Sequence, residues 1–527
     1  MLSLLHLRFW LPYFPALFSG LLLTLCFPDP GVHYLAFVAL CPLIISLEPM
    51  TVRQSFLAGF AAGFVHFTTL IYWIVPTLST FGGLHPLLSV CALTLLCLYL
   101  SLYPALFACV LKKLAPSPAI MPLAGACIWT GLEYVRTHLF TGFPWGILGY
   151  SQFADRFLVQ VADITGVLGI SFVLVLCNTL ISTVWIQITA GSSLTGRHLF
   201  LRIYLCVSYT FFILAAAYVY GIVRIPRIAE QMAAAPKPVF AVVQGNIRQD
   251  LKWSQTFRRA TIEKYGNMSL AAARLKPDLI IWPETALPFY YGHDLDLSNQ
   301  VDQYVRRAKT FFLMGSPAVD TSGDPVRYFN RVFMLNQLSV PVGTYDKTHL
   351  VPFGEYVPFQ DLLFFLEKLT EQAGNFSRGD TGFAPLAFKG HKTGVLICFE
   401  ILFPAISRQF VKNGADILTT VTNDAWFGRT SAPAQHFSIA VLRAVENRRS
   451  VVRAANTGIS GFIDPLGQVL GTTQLFTDAV DVGSLPALTV FSIYTRHGDL
   501  LAFACLIAMG MGFVIKEKDY IKRRFLP

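Results

Sequence analysis

The stretch TGVLICFEILFP, Thr393–Pro404, carries a thiol, Cys398, at the end of an apolar run, with an acid, Glu400, two residues on. Lys392–Ile397 reads as a short strand and Phe399–Phe410 as a helix opening directly after it, which places the sulfur at a strand-to-helix turn. Backbone N–H groups and the helix dipole at such a turn favour an anion, and nucleophiles are presented there at the edge of a sheet. A thiol nucleophile also needs a base and something to hold the oxyanion that its attack creates. The segment KPDLIIWPETALP, Lys276–Pro288, is a second apolar run ending in an acid, Glu284, held between prolines. Such a glutamate is by default a solvated turn residue. The tight Trp282-Pro283 lead points instead to a fixed, partly desolvated carboxylate, which is a better proton acceptor. A third segment, YDKTHLVPFGEYVPF, Tyr345–Phe359, sets Lys347 and Glu355 in a Pro/Gly loop, where a lone lysine is ordinarily a surface charge.

Cys398 is set apart by where the other cysteines fall. Nine of the ten (Cys26, Cys41, Cys91, Cys97, Cys109, Cys127, Cys177, Cys206 and Cys505) lie in long apolar segments, where a free cysteine serves as a small apolar residue. Cys398 is alone in the more polar stretch Lys237–Val490, so it has no disulfide partner there, and no CxxC or Cys/His cluster suggests a metal. Inert packing and a reactive thiol are the two readings left. A Cys/His protease pair is the rival machinery, but His349, His391 and His436 carry no family signature and read as ordinary polar residues.

These residues need a scaffold that gathers strand ends. Lys237–Val490 reads as a layered α/β domain, with strands near Val239–Val243, Leu279–Trp282, Phe311–Gly315, Arg331–Leu335, Thr393–Ile397, Ile417–Val421 and Val451–Ala455. Helical patterns lie between them, including Ser254–Leu275 and Ala434–Arg448. The rest of the chain differs. Of 527 residues 54 % are hydrophobic and only 14 % charged, with a mean hydropathy of +0.53, which excludes an ordinary soluble globular protein. Apolar stretches near Trp10–Cys26, His33–Leu47, Phe56–Val75, Leu87–Leu111, Ala119–Val135, Val161–Ile186 and Leu199–Tyr220, and an eighth near Tyr494–Val514, have about the length that a bilayer core asks of a helix. Pro12, Pro15 and Pro42 interrupt the first two, which membrane helices tolerate. A removable signal peptide is the alternative for the N-terminus, but no small-residue cleavage site is clear.

The expected organisation is a seven-helix region over 1–222, the α/β domain over 237–490, a last span over 493–515 and a basic tail over 516–527. The positive charges of short loops set the orientation. Arg8, Arg53, Lys112, Lys113, Arg197 and Arg202, with Lys516, Lys518, Lys522, Arg523 and Arg524 of the tail, fall on the cytoplasmic side, and only Arg136 and Arg156 fall in short outer loops. Seven spans then deliver the α/β domain to the outer side. The net charge of +10 is supplied largely by flanks beside anionic lipid and calls for no nucleic-acid partner.

Taken in order, segments bearing a carboxylate, an ammonium and a thiol resemble the Glu-Lys-Cys triad of the nitrilase, or carbon-nitrogen hydrolase, superfamily. With the membrane part added, the chain resembles, over almost its whole length, the apolipoprotein N-acyltransferases of bacterial inner membranes. The supporting segments are GNIRQDLKW (Gly245–Trp253), WPETALP, LVPFGEYVPF, FSRGD (Phe376–Asp380), CFE and TNDAWFG (Thr422–Gly428). The resemblance implies a nitrilase-like αββα sandwich on an eight-helix transmembrane bundle in the inner membrane, with a periplasmic catalytic domain and both termini cytoplasmic. It implies Glu284 as general base, Lys347 as oxyanion stabiliser and Cys398 as nucleophile. Supporting roles are implied for Glu355, orienting Lys347 and the thiol, and for Glu400 and Trp253, shaping the pocket. Phe399 stands where the family has tyrosine, which leaves its backbone N–H but no hydroxyl. No metal or cofactor is implied.

The same resemblance implies that a phospholipid, phosphatidylethanolamine, gives its sn-1 acyl chain to Cys398 as a thioester. The acceptor would be the α-amino group of the N-terminal cysteine of an S-diacylglyceryl apolipoprotein, an amine with an ordinary pKa of about 7.7–8.0. Both substrates carry acyl chains, and exposing roughly 16 methylenes to water costs on the order of 13 kcal/mol. The site is therefore expected to open sideways toward membrane lipid. The expected guides are the outer loop Thr141–Phe153, with Trp145, and the aromatic loop of Phe353, Tyr356 and Phe359; an interfacial aromatic belt is the other reading of the outer loop. A membrane-tethered amidase shares the triad but needs neither eight spans nor apolar loops. A transporter is disfavoured because the acids of the spans are few, Glu133 and Asp163.

Overall fold

The computed structural model describes residues 11–189, 196–356, 376–379 and 382–525. Arg8, Phe359 and Asp380, and the side chains of Arg197, Arg523 and Arg524, lie outside what is described. The chain forms two compact units: Met1–Tyr72 with Val90–Arg224 and His497–Pro527, and Trp73–Ser89 with Ile225–Arg496.

Length and apolar composition qualify four described helices to cross a membrane: Pro86–Leu114, Val167–Thr189, Phe200–Ala234 and Leu500–Lys522. Val52–Leu70 with the following Ile74–Phe81 makes a fifth if the two are counted as one span. The three other expected spans are shorter or more polar. Phe14–Leu25 has 12 residues, His33–Ser46 is broken around Pro42 into a 3-10 turn and a short α-helix, and the 18 residues of Met121–His138 include Glu133 and Arg136. Close helix contact is made by small residues, as in membrane bundles. At Gly20 a Cβ would lie 2.4 Å from the Ala62 carbonyl oxygen, so Phe14–Leu25 and Val52–Leu70 touch backbone to backbone there.

The second unit holds two six-stranded mixed sheets. One runs β12-β1-β2-β3-β4-β5 and the other β11-β10-β9-β8-β7-β6, with β1 Val239–Gln244, β2 Leu279–Ile281, β3 Phe311–Asp320, β4 Arg327–Leu335, β5 Pro341–Asp346, β6 Leu386–Phe388, β7 His391–Ile397, β8 Ile417–Thr422, β9 Ser450–Ala455, β10 Gly461–Ile463, β11 Val469–Thr472 and β12 Ala479–Ser484. At the centre of each, three strands are parallel, β1-β2-β3 and β7-β8-β9, and antiparallel strands flank them. Strands buried on both faces read as unbroken apolar runs, as VFAVV and LII do. Ala241, Val243, Ile280, Phe312 and Met314 pack with Ile262, Tyr265, Val301 and Val305 of the helices Gln255–Ala273 and Leu295–Ala308. Phe240, on the opposite face of β1, meets Phe388 of the second sheet edge to face at 5.7 Å. The second sheet takes the helix Pro404–Lys412 on its other side, Gly394 lying against Phe410. The layers thus run helix, sheet, sheet, helix.

The seven expected strands are present, and five more, β5, β6, β10, β11 and β12, complete the sheets. Four of those five are sheet edges, where segments of three to six residues leave little alternation to read. Trp73–Ser89 belongs to this unit through aromatic contacts: Trp73 meets Phe427 at 4.9 Å and Phe81 meets Trp426 at 6.4 Å, both edge to face.

Candidate active site

Glu284, Lys347 and Cys398 follow the carboxyl ends of β2, β5 and β7, and Asn423 follows β8. Loops beyond the carboxyl ends of a parallel sheet are where α/β folds bind ligands. The turn carrying Glu284 is pressed onto β3 at Gly315, where a Cβ would lie 2.5 Å from the Thr285 nitrogen and 2.7 Å from the Pro283 oxygen. Only glycine permits that approach, and the Gly315 carbonyl accepts from the Leu287 N–H at 3.1 Å.

Lys347 is 1 % exposed, not the surface charge of a typical loop lysine. Its Nζ donates to Glu355 Oε1 at 2.9 Å and to Glu284 Oε1 at 3.5 Å. Burial alone would lower its pKa; the Glu355 and Glu284 carboxylates outweigh that and hold it above the ordinary lysine range. Glu284 Oε1 also accepts from Asn330 Nδ2 at 2.8 Å, and Oε2 from the Asn423 N–H at 3.0 Å. Asn330 Nδ2 reaches Glu355 Oε1 too, at 3.0 Å, and Glu355 Oε2 accepts from the Val351 N–H at 2.9 Å. An amide facing two carboxylates must present its nitrogen, so the orientation of Asn330 is fixed by its partners. Beyond Lys347 the loop is tied down by Gly379, whose N–H donates to the Lys347 carbonyl at 2.9 Å.

Cys398 is half-buried and has φ +51°. The helix expected from Phe399 is instead a 3-10 turn, Cys398–Leu402, followed by an extended Phe403 and the α-helix Pro404–Lys412. Proline explains the break, because the residue before it is forced out of helical conformation while Pro itself suits the first helical turn. The expectation that a helix dipole favours the thiolate is therefore corrected. Burial, and then the Glu284 carboxylate, push the thiol well above its usual range, with Lys347 opposing. The resting sulfur is a thiol and needs a base.

Glu400 is fully buried and staples two loops together. Its Oε1 accepts from the Tyr345 hydroxyl at 2.8 Å, the Thr348 N–H at 2.7 Å and the His349 N–H at 3.1 Å, and its Oε2 from the Ile397 N–H at 2.8 Å. It thus joins the loop after Lys347 to the residue before Cys398. Phe399 is half-buried, its ring 6.0 Å from that of His349 and 5.4 Å from that of Phe403. Trp253, 41 % exposed, ends the short helix Gln249–Lys252. Phe353 is exposed and Tyr356 half-buried, joined by a Phe353 N–H to Tyr356 carbonyl bond of 2.8 Å. Trp145 lies in the first unit and is buried, 2 % exposed, its carbonyl accepting from Arg136 Nη1 at 2.7 Å.

Three neighbours of the triad escaped sequence reasoning. Asn330 sits inside β4, and Asn423 acts through its backbone. Lys252, 2 % exposed, donates to Thr285 Oγ1 at 2.6 Å and the Glu284 carbonyl at 3.4 Å. Burial lowers it to about 8, with Glu284 and Cys398 opposing. Only GNIRQDLKW, already picked out as a supporting segment, signalled it. The buried cluster of Glu284, Glu355, Lys347 and Lys252 pairs two acidic with two basic side chains around one thiol, an arrangement able to move a proton from sulfur and to stabilise an oxyanion.

Residues 19–180 match the model of the apolipoprotein N-acyltransferase N-terminal domain, and residues 240–489 that of carbon-nitrogen hydrolases. The apolipoprotein N-acyltransferase of Geobacter metallireducens is 39 % identical over 495 residues, covering 94 % of this chain and 93 % of that protein. The chain belongs to the apolipoprotein N-acyltransferase family. The Photobacterium profundum apolipoprotein N-acyltransferase is 32 % identical over 491 residues, 91 % of this chain and 90 % of that protein. Among solved structures, an amidase from Nesterenkonia sp. matches 50 % of this chain and 95 % of its own, at 18 % identity and a TM-score of 0.38. As a member of the apolipoprotein N-acyltransferase family, the protein is an acyltransferase whose second unit is a carbon-nitrogen hydrolase domain.

Proposed function

We propose that the protein transfers a fatty acyl chain from a membrane phospholipid, through a thioester on Cys398, to the α-amino group of the N-terminal lipidated cysteine of apolipoproteins, the last step of bacterial lipoprotein maturation. The observation that carries this reading is the meeting of Glu284, Lys347 and Glu355 with a strained, solitary thiol in a chain that matches both family models. In the first half-reaction Glu284 takes the proton of Cys398, and the thiolate attacks the sn-1 ester carbonyl of phosphatidylethanolamine. Lys347, oriented by Glu355, faces the oxyanion; lysophospholipid leaves with a proton returned from Glu284. In the second half-reaction the acceptor amine attacks the thioester, Glu284 accepts its proton, and the amide forms as the sulfur departs and is reprotonated.

The same reading places the chain in the inner membrane with eight spans over 1–222 and 493–515, a periplasmic catalytic domain over 237–490, and both termini, including the tail 516–527, in the cytoplasm. Four to five helices of sufficient length and apolarity support it. Phe353 and Tyr356 are assigned to guiding the acyl chains, with Trp253 and Phe399 at the pocket. The test is the intact mass of the protein after incubation with phosphatidylethanolamine vesicles, beside Cys398→Ala. An added acyl mass, absent from the variant and removed by hydroxylamine, is expected. No adduct, in a sample that still hydrolyses a small amide through Cys398, refutes the transfer and favours a tethered amidase.

A further inference from the structure

We propose that His436 is a positioning residue for the nucleophile, acting through the backbone carbonyl of Cys398. A non-glycine residue at φ +51° is strained, and such a conformation persists only where its surroundings hold it. His436 Nε2 lies 3.3 Å from the Cys398 carbonyl oxygen. Because that oxygen can only accept, Nε2 carries the hydrogen. At the other edge of the ring Nδ1 lies 3.0 Å from Arg453 Nη2 and 3.1 Å from Asp424 Oδ1. Burial, and then Arg453, hold the imidazole below its ordinary pKa against the opposing Asp424 carboxylate. A guanidinium can only donate, so the ring is neutral and the Nδ1 facing Arg453 is bare. Its lone pair then takes the Arg453 hydrogen, and one tautomer is fixed.

The ring is itself held on two sides. Arg453 Nη2 also donates to Asp424 Oδ2 at 2.8 Å, and Asp424 Oδ1 accepts from Thr422 Oγ1 at 2.9 Å. Thr422 in turn lies close enough to the Cys398 thiol to favour its ionised form. One buried cluster, Thr422, Asp424, His436 and Arg453, thereby holds the carbonyl of the strained residue and neighbours its sulfur. Phe427 closes it, 6.1 Å edge to face from His436 and packed on Trp73. His436 is therefore more than the ordinary polar residue expected from the sequence. It keeps Cys398 in the backbone conformation in which the thiol lies within the fields of Glu284 and Lys347.

The inference rests on Cys398 being the nucleophile, and its alkylation test uses no acyl donor, so that outcome is separate from that of the thioester. Iodoacetamide alkylation of Cys398 is followed by peptide mass spectrometry on the full chain in detergent. His436→Gln keeps a donor toward the carbonyl and an acceptor toward Arg453; His436→Asn carries the same groups one methylene short. Expected are alkylation within about threefold of wild type in the glutamine variant and at least about tenfold slower in the asparagine variant. In the phospholipid assay the asparagine variant loses kcat with KM unchanged. Equal alkylation rates in the two variants, or a loss confined to KM, overturn the inference. If His436→Asn does not accumulate, Arg453→Lys replaces it, since a lysine keeps the charge beside Asp424 but not the guanidinium's two-sided reach; wild-type kcat there overturns it as well.

Discussion

Replacing Glu355 by glutamine tests how the site shares one ammonium between two carboxylates. Lys347 Nζ is 2.9 Å from Glu355 and 3.5 Å from Glu284. At an effective dielectric of about 20 the closer pair attracts by about 6 kcal/mol. Part of that is offset in the variant, because the repulsion between the two carboxylates disappears with the charge. Breaking a buried pair by removing one partner leaves a net cost of about 3–5 kcal/mol. Glutamine cannot restore the bonding. Glu355 accepts from Lys347 Nζ, Asn330 Nδ2 and the Val351 N–H, so a carboxamide must turn its own NH2 toward at least one donor. The ammonium is then left to Glu284 and competes with the thiol for the carboxylate proposed to take its proton. If that cost falls on the transition state, the thioester forms about 10² to 10³·⁵ times more slowly. The assay is the rate of acyl mass gain on Cys398 with phosphatidylethanolamine vesicles, with thermal unfolding measured in parallel. A variant that melts as wild type and acylates within threefold of it would refute the assignment of Glu355 as the group that orients Lys347.

Lys252 gives a pH signature. With its pKa at about 8, the ammonium beside Glu284 and Cys398 is present below pH 8 and lost above it. The rise of Cys398 alkylation rate with pH is expected to flatten above about pH 8 in wild type. Lys252→Met should react more slowly below pH 8 and show no break; a break retained in the variant assigns it to another group. Trp145→Ala tests whether the outer-loop indole guides lipid or packs. Its burial predicts a stability loss of about 3–5 kcal/mol, read by thermal unfolding in detergent, with the donor KM within threefold of wild type. A raised KM with unchanged melting would restore the guiding role.

Local chemistry made part of the site legible. Glu284 and Cys398 each end an apolar run, and a chain that stops being apolar at an acid or a thiol has reached the end of a buried strand. Lys347 and Glu355 stood out through their Pro/Gly loop and the family pattern, not through any property of a lone lysine. The helix expected after Cys398 failed for a local reason as well, since Pro404 was in view and its effect on Phe403 follows from proline sterics. The edge strands β5, β6, β11 and β12 went unread because they are short and carry too few buried positions to set up a readable pattern.

Read alone, the chain yields its long apolar segments, an α/β domain, the strand ends that carry Glu284 and Cys398, and the family. Periodicity and residue type are local properties, and they suffice for these. Which polar residues meet Glu284, Lys347 and Cys398 is set by packing in three dimensions. Asn330 in mid-strand, Lys252 in a short turn and His436 on the helix Ala432–Asn447 have no local mark, because their roles arise when sheets and helices pack and exclude water. A buried donor must then find an acceptor or pay its desolvation cost. In this fold the acceptors they find are the carboxylates Glu284 and Glu355, and the carbonyls of Glu284 and Cys398.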